Sequence, residues 1–250
     1  MKSLIGWNQR FAKGDIRVEI NPVKAFSDNY IWVMEEGTEA VIVDPGEAEG
    51  VLRYLEEQAL GLTAILLTHK HDDHIGGVRE ILEKYPATLV YGPTETADLA
   101  TQVVKEGDRF ELFDKQVKVI KTAGHTEEHI SFLIEDVLFS GDALFSGGCG
   151  RVFTGDYQAQ YDALQKFNQL DEQVKVYAGH EYTQTNLLFA RNESPTNPDV
   201  VRTLHEVNER RSSDLPTLPS TIGKEKQINL FLRAESLEEF IELRQARDKF

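Results

Sequence analysis

Thr68-His69-Lys70-His71-Asp72-Asp73-His74 follows the apolar run Ala64-Ile65-Leu66-Leu67 and precedes Gly76-Gly77 and the helix-period stretch Val78-Arg79-Glu80-Ile81-Leu82-Glu83-Lys84. The order reads as a buried strand, a polar turn and a helix, the unit from which α/β folds are built. His69 and His71 are two apart, so in an extended segment both imidazoles point to the same side and suit one cation. Asp73 and His74 follow at once and fit a second cation beside the first. The alternative is a polar turn with an aspartate cap and tolerated surface histidines; it does not account for so dense a set of metal-ligand side chains.

Working outward, three more apolar stretches end in the same manner. Val119-Ile120-Lys121-Thr122-Ala123 leads to Gly124-His125-Thr126, Val137-Leu138-Phe139-Ser140 to Gly141-Asp142, and Val174-Lys175-Val176-Tyr177-Ala178 to Gly179-His180. In α/β architectures sites gather beyond strand ends, where a rigid sheet fixes the backbone and small residues allow close approach. A single Gly-His after a strand is more often a satisfied core histidine than a ligand. Here five of the seven histidines (His69, His71, His74, His125 and His180) stand at such ends, which scattered core histidines would not do.

Around these ends the chain alternates. Asn29-Tyr30-Ile31-Trp32-Val33-Met34 and Ala40-Val41-Ile42-Val43-Asp44 read as paired strands, and Val51-Leu52-Arg53-Tyr54-Leu55-Glu56 as an amphipathic helix. Thr88–Tyr91, Arg109–Phe113 and Val117–Ile120 read as further short strands. From about Thr183 strand signals nearly vanish. Helix-period stretches appear at Thr185–Ala190, Val200–Leu204 and Leu237–Arg247, separated by the proline-bearing loops Ser194–Pro198 and Leu215–Pro219.

The length allows one large domain, or one with a small second domain. Hydrophobic residues make up 40% of the chain, and no apolar run approaches the roughly 18 to 20 residues that span a bilayer, so a soluble protein without a membrane partner is expected. Met1–Arg10 lacks the features of a secretory signal, and the single cysteine, Cys149, excludes an internal disulfide, which fits a reducing cytoplasm. The net charge of -15 disfavours a nucleic-acid partner. An anionic small molecule must instead meet a few concentrated cations, and Lys and Arg cluster toward the C-terminus.

With these residues in view, His-x-His-x-Asp-His, Gly-His-Thr, the lone Asp142 after Ser-Gly and the late Gly179-His180 resemble the metallo-β-lactamase superfamily. Within it, Phe145–Arg151, Ala178–Thr183 and Ile228–Arg233 are similar to glyoxalase II, the hydroxyacylglutathione hydrolase family, and the similarity runs from about Phe26 to the C-terminus. The resemblance implies an α/β (α+β) fold, a four-layer αββα catalytic sandwich over residues 1–182 with a helical substrate-binding domain over 183–250. It implies hydrolysis of the thioester S-D-lactoylglutathione to glutathione and D-lactate, the last step of methylglyoxal detoxification. By position, one metal is held by His69, His71 and His125 and the other by Asp73, His74 and His180, with Asp142 bridging. Asp73 and Asp142 would orient the attacking hydroxide. Glutathione contacts map to Arg151, Val152, Phe153, His180, Glu181, Tyr182, Arg244 and Arg247. Arg151 and Phe153 stand where the family often has Lys and Tyr, so a hydroxyl contact is lost. About fifteen residues precede the usual start and carry no assigned role, and the segment between Arg233 and Arg244 is shorter than in some bacterial members.

Five imidazoles and two carboxylates suit zinc, with iron or manganese also compatible, and are too nitrogen-rich for magnesium or calcium. Two divalent ions would drive a bridging water toward hydroxide, with a pKa near ~7. A thiol with a pKa of about 8.5 leaves as thiolate, so no general acid is assigned. His129 reads as support for the ligands, His205 as surface helix, Cys149 as structural and Asp72 as facing away, while Asp28, Asp44 and Thr68 are candidates to orient ligands. The rival readings are a mono-iron persulfide dioxygenase of the same superfamily, a nuclease of that fold and a non-catalytic metal binder. The duplicated ligand set, the acidic charge and the room left for solvent and substrate argue against each in turn. The chain is expected to act as a monomer.

Overall fold

A computed structural model describes residues 18–250; Met1–Arg10, read above as lacking a secretory signal, and the N-terminal extension to about residue 15 lie outside the described residues. The backbone falls into two compact units, one up to Val104 and one from Lys105 to Phe250.

In the first unit β1 (Glu19–Ala25), β2 (Asn29–Glu36), β3 (Glu39–Val43), α1 (Glu49–Glu57), β4 (Gly61–Leu66), α2 (Asp72–Ile75), α3 (Val78–Lys84), β5 (Leu89–Gly92) and β6 (Gln102–Val103) succeed one another. The six strands lie side by side in chain order. β1, β2 and β3 pair antiparallel, and β3 to β6 pair parallel. Ile31 and Val33 of β2 pack with Val51 and Leu55 of α1 and Val78 and Ile81 of α3. Their neighbours Tyr30, Trp32 and Met34 alternate onto the other face and are buried as well. A sheet covered on both faces needs near-continuous apolar strands, which is how these runs read in sequence. Truncating the fully buried Leu55 to alanine would cost roughly 2–5 kcal/mol.

The second unit carries β7 (Arg109–Leu112), β8 (Lys115–Lys121), β9 (Ile130–Ile134), β10 (Val137–Gly141), α4 (Tyr157–Asn168), β11 (Lys175–Ala178), α5 (Thr183–Glu193), α6 (Pro198–Ser212), β12 (Ser220–Thr221), α7 (Ile222–Ile228), α8 (Leu230–Arg233) and α9 (Leu237–Lys249). Its sheet runs β12-β11-β10-β9-β8-β7. Only β10 and β11 pair parallel, and α4 is the crossover between them. Leu164 and Phe167 of α4 pack with Leu138 and Val176 of the sheet and with Phe231 and Phe240 of α8 and α9. The mixed α/β architecture with a helical C-terminal region is the one expected. Helix starts follow local chemistry: Asp156 caps α4, Asn197 caps α6 ahead of Pro198, and Ser236 caps α9.

Strands β1, β9 and β12 and helix α4 are not read from the sequence above. In α4 the side that faces the core includes Gln160, fully buried with its Nε2 donating to the Ala143 carbonyl. A glutamine in the apolar stripe breaks the period by which a helix is recognised.

Candidate active site

The carboxyl ends of the adjacent parallel strands β3 and β4 present Asp44 and Thr68 side by side. Asp44, with φ +52°, accepts from the Thr68 backbone N–H (2.7 Å) and hydroxyl (2.7 Å) and from His74 Nδ1 (3.0 Å). The Thr68 oxygen in turn accepts from His69 Nδ1 at 3.0 Å. Each donation fixes a tautomer, leaving Nε2 of His69 and of His74 as lone pairs. His71 follows with its Nδ1 3.0 Å from His69 Nε2. Asp73 lies in α2, its carboxylate held by Asn29 Nδ2 (2.9 Å) and 3.5 Å from His74 Nε2. Asp72 is exposed.

In the second unit the candidate donors come from the ends of three strands. Asp142 directly follows β10 and is 6% exposed; its Oδ2 stands 3.5 Å from His125 Nε2 and 3.4 Å from His180 Nε2. His125 donates from Nδ1 to the Arg151 carbonyl at 2.8 Å, which again leaves Nε2 as the lone pair. The Asp142 backbone N–H donates to His129 Nε2 (3.1 Å), and His129 Nδ1 donates to Thr122 Oγ1 (2.9 Å). Thr122 then bonds Ser131 at 3.0 Å. His129 therefore holds the backbone of Asp142, with its Nε2 occupied by that bond. Gly150 must be glycine: a Cβ there would stand 2.1 Å from the Asp142 carbonyl oxygen and 2.9 Å from His125 Nδ1.

Donors bound at about 2.0–2.1 Å to a tetrahedral zinc stand roughly 3.3 Å apart. The separations of 3.0 to 3.5 Å within each unit bracket that value. Both donor sets thus fit divalent metal ions, and imidazole with carboxylate is the chemistry such ions favour.

The expected substrate contacts fall in the second unit. Phe153 is exposed and lies 5.3 Å from the His125 ring, and the Arg151 guanidinium stands over it at 5.9 Å. Tyr182 stacks on His180 with ring centres 4.6 Å apart. Glu181 accepts from the Thr217 backbone at 2.7 Å and from its hydroxyl. Val152 is buried in the core of this unit. Arg244 and Arg247 do not project alike. Arg244 is 5% exposed, with Nη1 donating to the Cys149 carbonyl (2.8 Å) and Nη2 to Asp248 (2.9 Å). Arg247 gives Nη2 to Asn186 Oδ1 at 3.4 Å. In both, Nε is buried without a hydrogen-bond partner. Burial, and then the neighbouring Arg244, push the Arg247 pKa down. A cation so placed is stabilised by an anion.

Sequence reasoning missed the residue on which this region turns. Glu225 is fully buried and accepts from Ser146 Oγ (2.9 Å), the Gly147 backbone N–H (2.7 Å), Asn229 Nδ2 (3.0 Å) and the Ser220 hydroxyl. Asn229 also donates to the carbonyls of Phe145 and Gly148, and Asn186 to that of Ser146. The loop 145–148 is thereby tied to the C-terminal helices. Asn29, which holds Asp73, was also missed. A run of small residues such as Ser146-Gly147-Gly148, which cannot pack for itself, is the one sequence signal that such partners exist.

The two sheets and their strand-end donors define a metal-binding α/β protein of the metallo-β-lactamase class. A family profile described as metallo-beta-lactamase superfamily matches residues 26–180, and one described as hydroxyacylglutathione hydrolase C-terminus matches residues 181–250. The hydroxyacylglutathione hydrolase of Glaesserella parasuis serovar 5 is 53% identical over 234 residues, covering 93% of this chain and 100% of that protein. The one from Klebsiella pneumoniae subsp. pneumoniae is 45% identical over 218 residues, covering 86% and 87%. The chain belongs to the hydroxyacylglutathione hydrolase, or glyoxalase II, family of that superfamily. Among solved structures, ETHE1 from Myxococcus xanthus superposes with a TM-score of 0.69 at 28% identity, covering 92% of this chain and 89% of that one. The BLEG-1 B3 metallo-beta-lactamase, at 24% identity and a TM-score of 0.65 over 87% of this chain and 100% of that one, shares the fold.

Proposed function

We propose that the chain hydrolyses S-D-lactoylglutathione, and 2-hydroxyacylglutathione thioesters in general, to glutathione and the free hydroxy acid. The catalytic part is residues 1–182 and the helical part 183–250 binds substrate. His69, His71 and His125 hold one ion, Asp73, His74 and His180 the other, and Asp142 is shared. Zinc is the metal that these donors suit best. When bound, the ions acidify water and polarise the thioester carbonyl.

The chain's own residues do the rest. Asp73, fixed by Asn29, and Asp142 orient the attacking water by accepting its hydrogens. Attack expels sulfur as a thiolate, whose conjugate acid has a pKa of about 8.5, so no side chain need protonate it. Arg151, Arg247 and the Nε of Arg244 bind the glutathione carboxylates, with His180, Glu181, Tyr182, Val152 and Phe153 around the peptide. The observation that carries this reading is that Arg151 serves both ends of the reaction. Its carbonyl orients the ligand His125, and its guanidinium reaches Asp248 of the arginine-bearing helix at 3.3 Å. That coupling supports a site in which an anionic tripeptide is held beside the strand-end donors.

No helix among the described residues is long and apolar enough to cross a membrane; a monomer acting in the cytoplasm completes the proposal. The test is metal analysis of the purified protein beside turnover of S-D-lactoylglutathione, a β-lactam and a phosphodiester. Two ions per chain with the thioester cleaved far faster are expected. Comparable rates on all three would overturn the substrate assignment. One iron with oxygen uptake on glutathione persulfide would replace hydrolysis by oxygenation.

A further inference from the structure

In the first unit a cavity of 430 Å³ opens beside Asp73, walled by Phe26, Gly46, Glu47 and Asp72 among others. Phe26 begins the three-residue turn between β1 and β2, since Ala25 pairs with Asn29. It is 57% exposed and its φ is +49°, a left-handed conformation that bulky side chains rarely adopt. An exposed aromatic on strained backbone contributes little to a core, and strain of this kind persists where the surroundings impose it. The ring lies against Gly46. A Cβ built there would come 2.8 Å from a ring carbon and 1.9 Å from the Asp73 carbonyl oxygen. The phenyl is thus seated on the backbone that presents Asp73, and no glutathione contact assigned above touches it.

We propose that this cavity is the acyl subsite, and that Phe26 is the wall that sets which acyl groups are accepted. The inference rests on the thioesterase reading. Asp73 belongs both to the strand-end donors and to the wall of this cavity, so the acyl substituent of a carbonyl attacked beside Asp73 has the cavity next to it. A neutral 2-hydroxyacyl chain matches its walls: the alkyl part lies on the phenyl ring, and the hydroxyl finds acceptors in the carboxyl groups of Glu47 and Asp72. The same groups, with Glu80 on the rim, oppose an acyl chain that carries its own carboxylate. The volume exceeds a lactoyl group, so a neutral aryl chain stacked on Phe26 is accommodated too.

The experiment compares S-D-lactoyl-, S-D-mandeloyl- and S-succinylglutathione on the metal-loaded protein and on Phe26→Ala and Glu47→Gln. It is paired with calorimetric binding of S-methyl- and S-benzylglutathione, which needs no turnover. The protein should cleave the lactoyl and mandeloyl esters and disfavour the succinyl one. Phe26→Ala should lower kcat/KM for mandeloyl relative to lactoyl roughly five- to ten-fold, and weaken S-benzylglutathione while leaving S-methylglutathione within about two-fold. Glu47→Gln should raise succinyl relative to lactoyl. An unchanged acyl ranking with unchanged S-benzylglutathione affinity in Phe26→Ala overturns the inference. Failure of the unmutated protein to cleave any glutathione thioester overturns the thioesterase reading instead, and the calorimetric comparison then decides the cavity's role separately.

Discussion

The candidate donors of the first unit fall within six consecutive positions, 69 to 74, whereas those of the second are gathered from residues 125, 142 and 180 at the ends of three strands. The compact set needs one strand end and one orienting carboxylate, Asp44. The dispersed set is correct only if β8, β10 and β11 keep their register, and it is backed by a chain of hydrogen bonds through His129, Thr122 and Ser131. A local motif is therefore robust to distant change and legible in sequence. A dispersed one is less robust, and each of its members shows in sequence only as a Gly-His or Gly-Asp after an apolar run.

The largest effect is expected at Asp142, which faces two histidines at once. Asp142→Asn should remove most bound metal, and kcat/KM should fall by about a thousand-fold or more, several kcal/mol of transition-state stabilisation. Metal content and thioester turnover measured on one preparation check it. Next come the orienting residues. Asp44→Asn and His129→Ala should each cost about 10- to 100-fold in metal affinity, with His129→Gln recovering part because its side-chain oxygen can accept the Asp142 N–H. Competitive chelation titrations report both; equal loss in His129→Gln and His129→Ala would mean that the imidazole only fills space. Further out, Arg247→Ala should raise KM for lactoylglutathione roughly ten-fold, about 1.4 kcal/mol, and leave a neutral thioester unaffected. Equal losses on both substrates would detach α9 from substrate binding.

The smallest effect concerns Glu225. Burial raises its pKa against the four hydrogen bonds that lower it. A carboxyl whose folded pKa lies above its unfolded value contributes stability that is full below the ordinary carboxylate range and is lost as pH rises through the raised value, with a slope of at most about 1.4 kcal/mol per pH unit. Urea unfolding across the weakly acidic range should show that slope, and Glu225→Gln should flatten it. Parallel curves for the two proteins would mean that the carboxyl titrates alike folded and unfolded.

Much of this was legible because the chemistry sits at punctuation. Apolar runs ending in Gly-His, Gly-Asp or His-x-His announce both a strand and its purpose, and the placement of Asp44 and Thr68 against His74 and His69 follows from two adjacent parallel strands. What was not legible depends on contacts made at long range. Ile222-Gly223-Lys224-Glu225-Lys226-Gln227 carries no sequence reading, since nothing local shows that Ser146 and Gly147, nearly eighty residues earlier, will fill the carboxylate's coordination. Arg244 and Arg247 share helical spacing, yet one is spent on Cys149 and Asp248 while the other keeps more of its guanidinium available; spacing gives the face and not the depth.

The ties from Glu225 and Asn229 to the loop 145–148 also bear on how such a chain is inherited and rebuilt. Helices α7 to α9 look like a detachable cassette, but their buried acceptors are satisfied by donors that lie in the sequence before them. Grafting these helices onto another catalytic scaffold without Ser146 and Gly147 would bury a carboxylate with half its partners missing. Recombination with a scaffold that lacks Ser146 and Gly147 should therefore succeed when the crossover falls before Phe145, and fail when it falls between Gly148 and Ser220.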